Sequence, residues 1–284
     1  MSRLLIKEAG IRVNGITCHF RFAERDTSLP WLIMLHGFMG SGEQFYPVAE
    51  QLSRHFNLCL PDLPGFGKSE VPADSSRYSA DNQVNDWLQI LDSGHFGSSI
   101  ILHGYSMGGR LALRIAAQVE KKSAKTLTGC VKGLILESCT PGIRNEKERL
   151  LRKQQEELIA RNIIGDFPAF LKEWESQPLF KSGVTSRLLH RIQSETNPNG
   201  AAASITGFGS GTVEPVWHRL ESITIPVLLL AGENDIKYRN ITEEASSLFS
   251  EAEYRIIPSS GHRIHSDNPD GYIQAITSWI LKTV

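Results

Sequence analysis

The stretch Gly104-Tyr105-Ser106-Met107-Gly108-Gly109-Arg110 decides how the rest of the chain is read. Before it runs Ser99-Ile100-Ile101-Leu102-His103, a compact apolar segment of strand character. After it runs Leu111-Ala112-Leu113-Arg114-Ile115-Ala116-Ala117, whose composition is helical. A strand, a sharp turn and a helix with G-x-S-x-G at the turn hold a serine hydroxyl clear of a sheet edge, where it can react. The flanking glycines lack the Cβ that would clash where strand and helix approach closely. A glycine-rich turn with a serine helix cap has the same local composition. Only partners elsewhere in the chain separate the two readings.

A chain of 284 residues suffices for one large α/β domain, or for a core with an inserted piece. Its 40% apolar and 21% charged residues are ordinary for a globular protein. The net charge of −1 gives no electrostatic basis for binding nucleic acid or an anionic membrane. Charges at Arg3, Lys7 and Glu8 interrupt any signal-peptide core, and no apolar run reaches the length of a membrane span, so a cytoplasmic protein is expected. Cys18, Cys59, Cys130 and Cys139 form no C-x-x-C pair and read as reduced thiols rather than a disulfide or zinc framework; no metal is expected.

Taken in order, residues 3–22 read as two strands joined at Asn14-Gly15, strong hairpin chemistry. Trp31-Leu32-Ile33-Met34-Leu35 is a continuous apolar run, as in a parallel strand buried on both faces. It ends in His36-Gly37-Phe38-Met39-Gly40-Ser41-Gly42, a loop able to turn backbone N–H groups toward an anion. A helix is predicted over 43–54, a strand over 56–60, and a helix over 79–92 with Ser79 as N-cap. Asp62, at a strand end, reads as a turn aspartate. Lys121-Lys122-Ser123-Ala124-Lys125 reads as a solvated basic loop, and Val131–Glu137 as the next strand. From Arg144 the composition turns charged and helical, with further helical segments over 167–174 and 186–193. Strands return at Ile225–Ala231 and Tyr254–Ile257, and a helix closes the chain from Pro269 to Leu281. The expected organisation is a core of residues 1–142 and 215–284, with residues 143–214 as a helical cap inserted between core strands.

Alternating strands and helices give a mostly parallel sheet with chemistry at the carboxyl ends of its strands. Ser106, Asp235 and His262 fall at such ends in the order Ser…Asp…His, which is the triad order of α/β-hydrolases. The expected fold is therefore the α/β-hydrolase fold: a mostly parallel central sheet, helices on both faces, and a helical cap. A serine hydroxyl is a weak nucleophile or base alone. An imidazole must draw off its proton and a carboxylate must orient that imidazole. The oxyanion-hole donors would be the N–H groups of Phe38 and Met107. His36, His103 and His265 read as structural or supporting histidines.

Several stretches together are similar to the 2-succinyl-6-hydroxy-2,4-cyclohexadiene-1-carboxylate synthase family of menaquinone biosynthesis. They are the elbow G-Y-S-M-G-G-R with Arg110, Leu35–Gly42, Asp62–Gly67, Thr140–Ile143 with Glu148, Arg149 and Arg152, Trp174 with Gln177-Pro178-Leu179-Phe180, Ala231–Tyr238, and Gly261–His265. The resemblance implies a lyase that expels pyruvate from an enolpyruvyl-succinyl-cyclohexene carboxylate, using the serine as base and no cofactor. It implies a small polycarboxylate substrate bound by Arg110, Arg152 and Trp174, with Tyr105 lining the pocket and Arg191 as a further candidate. An esterase or carbon–carbon bond hydrolase on the same scaffold, or a ligand receptor built on an inactive one, are the alternatives.

Overall fold

The computed structural model describes residues 4–121, 130–180 and 187–283. The hairpin forms where Asn14-Gly15 places it: β1 (Lys7–Val13) and β2 (Ile16–Ala23) pair antiparallel, with Val13 opposite Ile16. Asn14 at φ 45° and Gly15 at φ 88° both take the left-handed conformation that a two-residue hairpin turn requires. The apolar runs become β3 (Trp31–Leu35), β4 (Asn57–Pro61), β5 (Ile100–Tyr105), β6 (Val131–Glu137), β7 (Val227–Gly232) and β8 (Ala252–Ile257). The eight strands form one sheet in the order β1-β2-β4-β3-β5-β6-β7-β8, parallel from β4 to β8.

Successive residues of a strand point to opposite faces, and here both faces are covered. Leu32, Met34, Ile101, Ile135, Leu228 and Leu230 pack with α1 (Tyr46–Leu52) and with Tyr272, Ile276 and Trp279 of the closing helix (Pro269–Thr283). Ile33, Leu35, Leu102, Leu134 and Leu229 pack with α2 (Ala80–Asp92) and α3 (Met107–Lys121). Each such side chain contributes about 1.5–3 kcal/mol when fully buried, which is why β3 is apolar end to end, and β4 from Leu58 on, rather than alternating. Ser79 caps α2 as its sequence predicts, its hydroxyl accepting from Asn82 N–H at 3.3 Å. The predicted helix over 43–54 begins instead as a tight 3₁₀ turn at Gly42–Phe45, and α1 follows.

Among the described residues, four α-helices lie between β6 and β7: α4 (Glu146–Gly165), α5 (Phe167–Glu175), α6 (Arg187–Ser194) and α7 (Pro198–Phe208). After β7 come α8 (Ile236–Ser246), α9 (Ile264–Asp267) and α10 (Pro269–Thr283). The composition around 198–208 hides α7, because Gly200 and Gly207 lower its helical character. Those glycines serve packing: a Cβ on Gly200 would lie 2.2 Å from the Gly65 carbonyl, so only glycine lets the helix touch the core loop there. From residue 122 on, the basic run of 121–125 lies outside the described residues. Among the described residues, no helix is long and apolar enough to cross a membrane.

Asp62 is a structural turn residue. Its buried carboxylate accepts from Arg21 Nη1 at 2.7 Å, from Gly42 N–H at 2.8 Å and from Lys68 N–H at 2.9 Å. Burial alone would raise its pKa, but the Arg21 guanidinium and the backbone donors hold it below the ordinary value. The pair fastens the hairpin to the loop after β4.

Candidate active site

β5 runs directly into Ser106 and α3 starts at the next residue. Ser106 sits at φ 51°, a left-handed conformation that L-residues rarely adopt. The motif's glycines explain how so sharp a turn fits. A Cβ on Gly104 would meet the Gly108 carbonyl oxygen at 2.3 Å, and one on Gly108 would meet the Leu35 carbonyl oxygen at 2.2 Å. The Ser106 N–H donates to the Glu137 carbonyl at 2.9 Å, which ties the strained residue to β6. The Glu137 carboxylate, buried at the same strand end, accepts from the His265 backbone N–H at 3.1 Å and contacts His265 Nδ1 at 2.7 Å. His103 Nε2 lies 3.2 Å away. Burial pushes this carboxyl up, but His265 and His103 together bring its pKa down to about 2.

The three residues that sequence places at strand ends meet in space. His262 Nε2 lies 3.0 Å from Ser106 Oγ, and His262 Nδ1 lies 2.7 Å from Asp235 Oδ2. An ionised carboxylate can only accept, so Asp235 keeps the proton on Nδ1 and leaves the Nε2 lone pair facing the serine hydroxyl. Asp235 has a second duty: its Oδ1 accepts from Tyr238 N–H at 3.3 Å as the N-cap of α8. The same helix start therefore fixes the carboxylate that orients the imidazole.

The glycine-rich loop after β3 is shaped by His36. Its Nδ1 lies 2.7 Å from the Gly37 carbonyl oxygen, and its Nε2 accepts from Leu63 N–H at 2.9 Å. Burial lowers its pKa to about 4, so the ring is neutral with its proton on Nδ1. The Gly37 carbonyl also accepts from Gly40 N–H at 3.1 Å. In a trans peptide the N–H points opposite the carbonyl, so fixing the Gly37 oxygen inward turns the Phe38 N–H outward. Met107 is the first residue of α3, where an N–H has no acceptor within the helix. Those are the two donors expected of an oxyanion hole.

Ser106 and His262 open onto a cavity of about 490 Å³, walled by Phe38, Tyr105 and Met107 from the core and by Arg152, Trp174, Leu179 and Phe180 from the inserted helices. Arg110, one helical turn past Ser106, reaches into it. Its Nη2 donates to the Phe208 carbonyl at 3.0 Å and its guanidinium lies 5.6 Å from the Phe208 ring. No carboxylate pairs with it among the described residues, its Nε has no hydrogen-bond partner, and burial depresses its pKa. Arg152 donates from Nε to Glu156 at 2.8 Å. Glu156, itself buried, also accepts from Ser210 Oγ at 3.1 Å and Gly211 N–H at 3.0 Å. Trp174 meets Phe38 edge to face, with ring centroids 5.3 Å apart.

Arg191 is a correction. It lies on the outer face of α6, its side chain 47% exposed, and pairs with Glu43 and with Glu195. Leu189, Ile192 and Gln193 take the inward face of that helix, so Arg191 stands away from the cavity wall. Arg144, Glu156, Lys237 and Tyr238 line the cavity without having been singled out from the sequence. Lys237 and Tyr238 carry a usable signal, since they come two and three residues after Asp235, in the first turn of a helix.

Residues 30–269 match the family model described as the alpha/beta hydrolase fold. The chain is 34% identical over 244 residues to a putative 2-succinyl-6-hydroxy-2,4-cyclohexadiene-1-carboxylate synthase of Bacillus subtilis (strain 168), covering 84% of this chain and 85% of that one. It is 31% identical over 253 residues to the 2-succinyl-6-hydroxy-2,4-cyclohexadiene-1-carboxylate synthase of Escherichia coli O9:H4, covering 87% and 92%. Among solved structures, MenH from S. aureus superposes with a TM-score of 0.85 at 28% identity, covering 93% of this chain and 98% of that one.

Proposed function

Since the chain belongs to the 2-succinyl-6-hydroxy-2,4-cyclohexadiene-1-carboxylate synthases, enzymes of the α/β-hydrolase fold, we infer that it eliminates pyruvate from 2-succinyl-5-enolpyruvyl-6-hydroxy-3-cyclohexene-1-carboxylate. The observation that carries this reading is the juxtaposition of two features. A hydrogen-bonded Ser106–His262–Asp235 relay faces a cavity, and the same cavity holds a guanidinium, Arg110, that forms no ion pair among the described residues. A hydrolase of simple esters has no use for an uncompensated cation beside its nucleophile. An enzyme for a multiply carboxylated substrate does.

The bonds that change follow from substrate and product. The substrate has its ring double bond at C3–C4 and its leaving oxygen on C5, while the product has double bonds at C2–C3 and C4–C5. The proton must therefore leave C2, which carries the succinyl carbonyl. The C2–H electrons form the C2–C3 double bond, the C3–C4 pair moves to C4–C5, and the C5–O bond breaks. Every electron pair comes from the substrate, so no redox partner enters the balance.

His262 draws the proton from Ser106, and the serine oxygen takes the C2 proton. The N–H groups of Phe38 and Met107 hold the negative charge that develops on the succinyl oxygen. The proton then on His262 goes to the departing enolate, which becomes pyruvate. Arg110 and Arg152 hold the carboxylates, and Trp174 and Tyr105 enclose the ring. Incubating the purified protein with the enolpyruvyl substrate is expected to release pyruvate and the cyclohexadiene product in equal amounts. Turnover of simple esters with no pyruvate from that substrate would overturn the reading.

A further inference from the structure

The first turn of α8 does more than hold the triad aspartate. Tyr238, whose N–H donates to Asp235 Oδ1 at 3.3 Å, also lays its ring against the base, with its centroid 4.5 Å from that of His262. Tyr238 is 9% exposed, and it lines the same cavity as Ser106, His262 and Arg110. Packing against the imidazole needs only the ring, which a phenylalanine would supply equally well. The hydroxyl is surplus to that contact.

A buried tyrosine hydroxyl usually has a partner. Tyr272 of α10 follows that rule, its oxygen lying 2.9 Å from His103 Nε2. The Tyr238 hydroxyl forms no hydrogen bond among the described residues. A ligand that fills the cavity takes solvent away from this phenol, and then either offers an acceptor or loses that bond. Burial pushes the phenol pKa up to about 12, against the pull of the Arg110 charge, so at neutral pH the group is protonated and able to donate. Arg110 also has a donor to spare. Its Nη2 is spent on the Phe208 carbonyl, but its buried Nε has no partner. A carboxylate has two oxygens and acceptor capacity on each. It can take a guanidinium and a phenol together.

Resting on the reading of a multiply carboxylated substrate, we propose that the Tyr238 hydroxyl is a substrate ligand, which with Arg110 holds one carboxylate of that substrate beside His262. Arg110 supplies the charge. The phenol supplies a directed neutral donor, which a ligand lacking that carboxylate leaves unmatched.

Tyr238→Phe removes one oxygen and keeps the ring on His262. With the natural substrate, kcat/KM is expected to fall roughly ten- to a hundredfold, the loss of a hydrogen bond to a charged group. The melting temperature is expected to stay at or above that of the wild type, because no bond within the protein is lost. A small neutral fluorophosphonate reads the triad separately: the Ser106 oxygen bonds to phosphorus, fluoride leaves, and His262 takes the hydroxyl proton. Its labelling rate, followed by intact mass, is expected to be unchanged in the variant. Succinate, a dicarboxylate, is expected to slow labelling of the wild type by occupying the cavity, and to need about tenfold more concentration to do so in Tyr238→Phe. In an Arg110→Lys background the fall caused by Tyr238→Phe is expected to be smaller, since groups that share one carboxylate are coupled.

Wild-type kcat/KM in Tyr238→Phe would overturn the proposal. So would labelling slowed in step with kcat/KM, which would make the hydroxyl a support for His262 rather than a ligand. Full additivity with Arg110→Lys would place the two on separate groups and overturn the shared carboxylate. Wild-type protein that succinate protects but that releases no pyruvate would remove the proposed reaction and leave Tyr238 standing as a carboxylate ligand.

Discussion

Ser106→Ala is expected to lower kcat by about a thousandfold or more, with KM changed by no more than a few-fold. Members of a triad act as a unit, so losing one removes most of what all three provide. The substitution is unusually clean here. Serine and alanine both carry a Cβ, so the strain at φ 51° is unchanged and only the hydroxyl is lost. The cavity walls, Arg110 among them, stay as they are, so affinity should persist. Steady-state kinetics of pyruvate release checks both halves. A variant that keeps near-normal kcat would show that another group takes the proton.

Arg110→Lys and Arg152→Lys are each expected to cost roughly 2–5 kcal/mol in kcat/KM, the range for removing one partner of a buried charged pair. A guanidinium can offer two parallel donors to a carboxylate, whereas an ammonium is a point charge. The arginines differ in what else they do. Arg152 already spends Nε on Glu156, leaving its two Nη groups for a ligand. Arg110 spends one donor on a carbonyl and forms no ion pair among the described residues, so burying its charge costs the fold stability. Thermal melts should therefore show Arg110→Lys no less stable than wild type even as its kcat/KM falls. Loss of stability in step with activity would point to a packing role. Full activity in both lysine variants would remove the two arginines as substrate ligands.

The fold was largely legible because its signals are local. Asn14-Gly15 dictates a hairpin, the run Trp31–Leu35 has no polar residue to alternate, and Gly104 and Gly108 are required by carbonyls within 2.5 Å of where a Cβ would stand. Ser106, Asp235 and His262 could be placed at strand ends, since each directly follows or closely trails an apolar run.

The insertion was harder to read for physical reasons. Gly200 and Gly207 disguise α7 because close packing against the core outweighs helix propensity there. Arg191 was a further candidate through the family resemblance alone, and sequence does not say which face of an eight-residue helix turns inward. The contacts of Arg263, Glu156 and Glu137 are long-range: Arg263 meets Glu175 across 88 residues and Glu137 meets His265 across 128. No spacing rule along the chain announces such pairs.

Whether the serine acts as a base or as an acylated nucleophile divides this reading from the esterase and carbon–carbon hydrolase chemistries of the same scaffold. Both begin with the same hydrogen bonds, but only an acylated nucleophile leaves substrate atoms on the protein. The direct measurement is intact mass of the enzyme, quenched in the first turnovers with the enolpyruvyl substrate while pyruvate is counted in the same samples. The expected result is pyruvate accumulating while the protein stays at its unmodified mass at every time point. A substrate-derived mass on the peptide carrying Ser106, rising and falling with turnover, would contradict it.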